Sequence, residues 1–295
     1  MKVFITGATG WVGRHVVPEL VSHGHEITAI ARTDDSAAAL EKQGVTVVRA
    51  TLEDTDILHS SAKEADAVIH LAYIHDFTDY GGRPAKIDFA AIRAMCSALE
   101  GTDKPFIGTG GVLGLPDPQT ENESASFGPR KEAEQIAFEY IEKGVRPIVI
   151  RLSPSVHGDG DKGFIPILIN LAKEKGYTAY IRDQPIKWPG VHVKDAAILY
   201  RLAIENQHLN GGTILHGVAE SGVPFRQIVN TIGKKLDLEV KEIDQEKEAQ
   251  DYFGWMAFVL KFDGNASSEI TKQKTGWVPK EKSIMEDLET GTYFN

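Results

Sequence analysis

Lys2-Val3-Phe4-Ile5-Thr6-Gly7-Ala8-Thr9-Gly10-Trp11-Val12-Gly13 stands at the head of the chain. The apolar run Val3-Phe4-Ile5 predicts a strand and the glycines a tight turn. The amphipathic stretch from Trp11 to His23, stopped by Gly24, predicts a helix. A strand-turn-helix unit of this kind opens a helix N-terminus. There, unpaired backbone N–H groups and the positive end of the helix dipole can hold a pyrophosphate. Gly7 permits the turn, Gly10 lets the backbone approach the phosphates, and Gly13 lets helix and strand pack closely. A glycine triplet alone is a weak signal. Directly behind an N-terminal strand and opening a helix, it predicts a dinucleotide site.

The same rhythm continues. Further strands are expected at Glu26–Ala31, Thr46–Arg49, Ala67–Leu71, Phe106–Thr109 and Pro147–Leu152, with helical patterns between them, several stopped by Gly24, Gly44 and Gly144. Strands alternating with helices predict a parallel sheet covered on both faces. From His157 the rhythm breaks: Gly158, Gly160 and Gly163 precede a helix through Lys175, and Pro185 and Pro189 punctuate a loop. Asp195 to Asn206 reads as a helix, Thr213–Gly217 as a late strand, and the remainder from Pro224 as mostly helical with a break at Trp277-Val278-Pro279. The expected fold class is α/β, a doubly wound parallel Rossmann sheet with a smaller, mainly helical C-terminal substrate lobe. Residues 1–156 plus 190–217 would form the dinucleotide domain, and 157–189 plus 218–295 the lobe.

Composition narrows the partners. With 42% hydrophobic and 25% charged residues the chain has the make-up of a globular protein, and its 295 residues suffice for one large domain and an appended lobe. A net charge of -10 argues against non-specific nucleic-acid binding and against an anionic membrane surface. No apolar run approaches a membrane span. Strand-forming residues from position 2 leave no room for a signal peptide, so a cytoplasmic location is expected. The single cysteine, Cys96, excludes an intrachain disulfide and is expected as buried filler. No metal-ligand pattern is present, and the sequence is compatible with a monomer or a homodimer.

With Asp66-Ala67-Val68-Ile69-His70-Leu71-Ala72 added to the glycine motif, the chain resembles the extended and atypical short-chain dehydrogenase/reductases, the group that includes NAD-dependent epimerases and dehydratases. The likeness continues through Arg151-Leu152, Val191-His192-Val193-Lys194-Asp195-Ala196 and Gly276-Trp277-Val278-Pro279, and so spans nearly the whole chain. An atypical subgroup of bacterial and yeast proteins shares a His-Asp-Phe after the fourth strand, here His75-Asp76-Phe77, and a stretch similar to Trp188-Pro189-Gly190-Val191-His192. The resemblance implies that Gly7, Thr9, Gly10, Trp11, Val12, Gly13, Leu71, Ala72 and Pro154 line the cofactor site, with Tyr73 and His75 beside the nicotinamide ribose. The family's adenine-contacting Asp after strand three is Thr51 here, which leaves the Leu52 backbone as the neighbour.

The family's usual catalytic set is a Ser or Thr after strand five and a Tyr-x-x-x-Lys on the next helix, the Lys lowering the Tyr pKa and holding the ribose. This chain departs from it throughout. After strand five it reads Gly108-Thr109-Gly110-Gly111, with glycine in the serine place and Thr109 the only nearby hydroxyl. The helix reads Ser126-Phe127-Gly128-Pro129-Arg130-Lys131-Glu132-Ala133-Glu134. Two registers are open, Ser126 with Arg130 or Phe127 with Lys131. The inward stripe Ala133, Ile136, Ala137, Tyr140 favours Arg130. In either register the tyrosine is missing. Arg130 can replace the lysine as a fixed cation over the cofactor's ribose, and so bind the cofactor, but not serve as an acid; alternatively it simply pairs with Glu134 one turn on. The candidate catalytic residues are Arg130, Thr109, Ser126 and, as proton donor, His75, whose imidazole titrates near neutrality. His157 is a second candidate donor, Tyr73 and Tyr80 further ones, and His192 is expected to satisfy backbone at the lobe junction.

Strand two ends Ala29-Ile30-Ala31-Arg32-Thr33. An NAD site usually has a carboxylate here for the adenosine ribose; Ala31 stands in its place with Arg32 and Thr33 beside it, which favours the 2′-phosphate of NADP(H). If Arg32 only stacks on adenine, NAD(H) remains usable. Arg14 offers a second phosphate contact or is a surface arginine. Three functions compete: an NADPH-dependent reductase of small aldehydes or ketones, a catalytically silent NADP(H)-binding redox sensor, and an epimerase- or dehydratase-like enzyme. Trp188, Tyr252, Phe253, Trp255, Met256 and Phe258 lean the substrate toward an apolar or aromatic carbonyl compound.

Overall fold

The computed structural model describes residues 1–75, 79, 81–125, 128–184, 186–244 and 246–295. In chain order the strands are β1 (Lys2–Thr6), β2 (Glu26–Ala31), β3 (Thr46–Arg49), β4 (Ala67–His70), β5 (Pro105–Gly111), β6 (Arg146–Leu152), β7 (Ser155–His157), β8 (Tyr177–Ile181), β9 (Lys187–His192), β10 (Thr213–Gly217), β11 (Glu220–Pro224) and β12 (Glu239–Ile243). The helices are α1 (Gly13–Ser22), α2 (Asp34–Glu41), α3 (Thr55–Glu64), α4 (Arg83–Ala98), α5 (Gly128–Phe138), α6 (Phe164–Lys175), α7 (Val193–Glu205), α8 (Phe225–Leu236), α9 (Glu246–Phe253), α10 (Met256–Val259), α11 (Glu269–Thr275) and α12 (Ile284–Thr290).

Seven strands form one parallel sheet in the order β10-β6-β5-β4-β1-β2-β3. Strand order reverses between β1 and β4, and in open α/β sheets the crevice at that switch point is where ligands bind. The strands read as near-continuous apolar runs because both faces are covered. On one face Val16, Val17 and Leu20 of α1 and Leu199, Tyr200 and Ala203 of α7 pack against Val3, Ile5, Ile69 and Ile107. On the other, Leu58 of α3, Ile92 and Met95 of α4 and Ile136 of α5 pack against Phe4, Val68 and Phe106. Cys96 belongs to this second face as a fully buried apolar residue, and burial pushes its thiol well above the usual range.

A separate cluster gathers Ile165 and Ile169 of α6, Trp188, Phe225, Ile228 and Ile232 of α8, Phe253, Met256 and Leu288. Two small sheets join it, β11-β9-β7 and the parallel pair β12-β8. Sequence reading missed β7, β8, β9, β11 and β12; Pro189, expected in a loop, lies in β9, which pairs with both β7 and β11. Glu239–Ile243 is polar enough to pass for helix, and its strand state comes from pairing with Tyr177–Ile181, far away along the chain. Trp277 returns to the sheet's own core, its indole Nε1–H donating to the Asp195 carbonyl at 2.9 Å. The buried Asp195 carboxylate accepts from the N–H groups of Lys280 and Glu281 at 3.0 Å. The two distant motifs Val-Lys-Asp-Ala and Gly-Trp-Val-Pro are thus halves of one joint.

Candidate functional site

The glycine loop leaves β1 and enters α1 at the switch point. Gly7 has φ +74°, and a Cβ there would lie 2.5 Å from the Ala72 nitrogen. At Gly13 a Cβ would lie 2.1 Å from the Gly7 carbonyl oxygen, and at Gly10 the nearest atom is that same oxygen at 3.1 Å, with open space beyond. Gly7 and Gly13 are therefore fixed by backbone contact, and Gly10 faces outward where a ligand backbone can come close. Helix α1 has no side-chain cap and no acidic residue in its first turn. Among the described residues no acceptor takes the N–H groups of Trp11 and Val12. This is an anion seat built from main chain, and the residues fit a dinucleotide pyrophosphate. Thr9 is exposed beside it. Trp11 donates its indole Nε1–H to the Val156 carbonyl at 2.7 Å. Arg14 donates to the Gly160 carbonyl at 2.9 Å and stacks on Trp11 at 4.3 Å, so it is tied to the loop after β7.

Leu71 and Ala72 follow β4 and lie against this loop: Leu71 N–H donates to the Thr6 carbonyl at 3.1 Å and Ala72 N–H to the Thr6 hydroxyl at 3.4 Å. Pro154, half-buried, sits between β6 and β7. At the outer end of the crevice Arg32 is exposed beyond the buried Ala31. Thr33 caps α2 by accepting from the Ser36 N–H at 3.2 Å. Sequence reading missed a second arginine here. Arg49 is paired in register with Ala31, and its guanidinium donates to the Thr33 carbonyl and, at 2.8 Å, to the Asp34 carboxylate. Leu52, after β3, is buried in the sheet's second face.

Past Ala72 comes a corner where three of the candidate residues, Tyr73, Thr109 and Arg130, meet. The Arg130 guanidinium lies 3.8 Å from the centroid of the Tyr73 ring and donates to the Thr109 carbonyl at 3.2 Å. The alternative pairing with Glu134 is overturned, because Glu134 forms a buried bidentate pair with Arg151 at 2.8 and 2.7 Å. Gly110 makes room for that pair: a Cβ would sit 2.8 Å from the Glu134 carboxylate. The Tyr73 ring meets the His75 imidazole edge-on at 5.3 Å. His75 is an exposed residue, yet its imidazole is held below the usual range, first by partial desolvation and then by the Arg130 charge. Both effects disfavour the protonated ring and so weigh against His75 as the proton donor, with a backbone hydrogen bond at Tyr73 opposing them.

Thr109 is also differently employed than expected. Its hydroxyl donates to the His70 carbonyl at 2.8 Å and lies 2.9 Å from the Tyr200 hydroxyl, so its proton is committed inward. His157 is buried at 1%, with Nδ1 2.7 Å from the Asp287 carboxylate and Nε2 3.6 Å from Glu220; it belongs to the junction with α12 and not to the Arg130 corner. His192 caps α7, its Nδ1 accepting from the Lys194 N–H at 3.3 Å. Ser126, Phe127, Asp76, Phe77 and Tyr80 lie outside the described residues. Among the described residues no His, Cys, Asp and Glu cluster suits a metal, and no helix is long and apolar enough to cross a membrane.

The model of the NAD dependent epimerase/dehydratase family matches residues 3–215. The chain belongs to that family. Two uncharacterised proteins are similar over the full length of both chains, one of Schizosaccharomyces pombe at 39% identity and one of Saccharomyces cerevisiae at 38%. Among solved structures, the dTDP-glucose 4,6-dehydratase of Streptomyces venezuelae, with NAD bound, superposes with a TM-score of 0.77 over 100% of this chain and 97% of that one; at 14% identity the likeness is one of fold. This epimerase/dehydratase-family member therefore combines a seven-stranded parallel sheet and an N-terminal glycine loop with a corner in which Arg130 meets Tyr73 and the Thr109 carbonyl.

Proposed function

We propose that the protein is an NADPH-dependent reductase of small aldehydes or ketones. The observation that carries the reading is Arg130. It is a permanent cation fastened by the Thr109 carbonyl and the Tyr73 ring, one residue along the chain from the Ala72 backbone that packs on Gly7. The seat of Gly7, Thr9, Gly10, Trp11, Val12 and Gly13 would hold the pyrophosphate, Leu71 and Ala72 would line the ribose, and Arg32 with Arg49 would face the adenosine 2′-phosphate. When bound, the reduced nicotinamide supplies the hydride. Arg130 would bind the carbonyl oxygen and stabilise its developing negative charge, a role that needs position and not proton exchange. Its guanidinium does not titrate in the working range, and with the protonated form of His75 disfavoured the final proton would come from water. Activity is therefore expected to stay nearly flat from about pH 6 to about pH 9, where a tyrosine-based site would titrate.

NADPH oxidation against a panel of aliphatic and aromatic aldehydes and ketones tests the reading. Turnover on at least one of them, lost in Arg130→Ala, supports it. The alternative, a silent NADP(H)-binding sensor, is favoured by the committed Thr109 hydroxyl and by the lowered His75 imidazole. Tight NADPH binding without oxidation on any carbonyl would decide for the sensor. An epimerase- or dehydratase-like reaction is less supported, since it relies most on the tyrosine that is missing.

A further inference from the structure

Beneath this corner lies a buried polar line that the proposed chemistry does not use. His70 ends β4 and Asp88 sits on α4; both are nearly inaccessible, at 4% and 2% exposure. His70 Nε2 lies 3.0 Å from the Asp88 carboxylate, and His70 Nδ1 lies 2.6 Å from the fully buried Thr6 hydroxyl. A carboxylate oxygen only accepts, so the proton of a neutral imidazole sits on Nε2 and Nδ1 accepts from Thr6. Thr6 in turn accepts from the Ala72 N–H at 3.4 Å. With that tautomer the donors run from Ala72 to Thr6 to His70 to Asp88.

A second line reaches the same residue from the opposite face of the sheet. The Tyr200 hydroxyl on α7, fully buried, is 2.9 Å from the Thr109 hydroxyl, which donates to the His70 carbonyl at 2.8 Å. With its proton given to that carbonyl, Thr109 accepts from Tyr200. Thr109 is also the residue whose own carbonyl anchors Arg130. One line therefore ends at Ala72, against the glycine loop, and the other at the anchor of the cation.

We propose that His70 is a positioning residue of the cleft: its imidazole, held in one tautomer by Asp88, locks Thr6 and Ala72 on the dinucleotide side, while its main-chain carbonyl, with Tyr200, holds Thr109 beneath Arg130 on the other. The proposal rests on the dinucleotide reading above. His70 touches neither cofactor nor substrate; it acts through the strand ends that do. The geometry divides the labour. Cutting at Thr6 should loosen the dinucleotide seat, and cutting at Tyr200 should loosen the arginine corner alone.

The test compares Thr6→Val, Thr6→Ser and Tyr200→Phe with the wild-type chain, measuring NADP+ affinity by tryptophan fluorescence, NADPH turnover, and the His70 ring by nitrogen NMR without ligand. Thr6→Val should weaken NADP+ binding by roughly two- to tenfold, with Thr6→Ser restoring it. Tyr200→Phe should lower kcat by a similar factor and leave NADP+ affinity in place. In the wild-type spectrum Nε2 should carry the proton, and in Thr6→Val that preference should weaken. A protonated Nδ1, equal affinities in Thr6→Val and wild type, or a Thr6→Ser as weak as Thr6→Val would each overturn the positioning role. Wild-type protein that binds no NADP+ would instead overturn the dinucleotide reading itself, a result distinct from those three.

Discussion

The two ends of one cleft are built in different ways. The glycine end is made of main chain: Gly7 and Gly13 leave no room for a Cβ, and among the described residues the N–H groups of Trp11 and Val12 have no acceptor. The arginine end is brought together from three places, the Tyr73 ring after β4, the Thr109 carbonyl on β5 and the Arg130 guanidinium on α5. A main-chain arrangement admits few substitutions, whereas an arrangement that depends on side chains can change one contact at a time.

The sharpest way to break this comparison is at Gly13. A Cβ 2.1 Å from the Gly7 oxygen cannot be absorbed by a flexible neighbour, since the clash is with backbone. Gly13→Val should lower NADP+ affinity by on the order of a hundredfold or leave the chain unable to fold. Ordinary affinity in a folded Gly13→Val variant, measured by fluorescence titration, would show that the seat is not where the glycines place it. At the other end Arg130→Met should cut turnover by about a hundredfold, the scale of one lost oxyanion donor, with NADP+ affinity far less affected. Arg130→Lys should recover only part of it, because a lysine cannot both lie flat on Tyr73 and reach the Thr109 carbonyl. Unchanged kcat in Arg130→Met would remove the corner from the reaction.

A smaller effect is expected where the cleft reaches the adenosine. Arg32→Ala should raise the KM for NADPH by on the order of tenfold and barely move that for NADH. Equal shifts for both cofactors would end the 2′-phosphate assignment. Asp34 and Asp35 stand in the first turn of α2 beside this point, and Arg49 is half neutralised by Asp34. Arg49→Ala should therefore act in the same direction as Arg32→Ala and more weakly.

What could be read from sequence follows the same division. The alternation of strands and helices and the roles of Gly7, Gly10 and Gly13 were legible because they answer to backbone requirements that act within a few residues. The preference for Arg130 over Lys131 was legible from helical periodicity, since α5 buries Ala133, Ile136 and Ala137 on the stripe beside it. The partners were not. Glu134 lies one turn from Arg130 yet pairs with Arg151 on β6, and Arg49 meets Thr33 only because β2 and β3 run side by side. The inward commitment of Thr109 depends on Tyr200, 91 positions away. Local sequence carries the register of each element, and the register between elements decides which polar group takes which partner.

The smallest effect tests a contact outside both ends. His157 and Asp287 are 130 positions apart and meet 2.7 Å apart in the junction between β7 and α12. Burial alone would push the His157 imidazole down; its hydrogen bonds to Asp287 and Glu220, with their charges, outweigh that and hold it above the usual value. The neighbouring His192 ring, 5.4 Å away, is held below its usual value by burial and by the His157 charge, with Asp287, Glu281 and Asp195 opposing. Asp161, bonded to Tyr293 at 2.8 Å, is raised by burial. A histidine whose folded pKa is raised contributes stability that is complete below its unfolded value, about 6.5, and is lost as pH rises through the folded value. Wild type should therefore melt above Asp287→Asn by the widest margin near pH 6, and the margin should narrow toward pH 9, by a few degrees in all. His192 acts in the opposite sense, its contribution falling as the pH drops below about 6.5, so the narrowing should be clearer in a His192→Gln background. A margin that widened with pH would mean that Asp287 stabilises the junction through the N-terminal turn of α12 and not through His157.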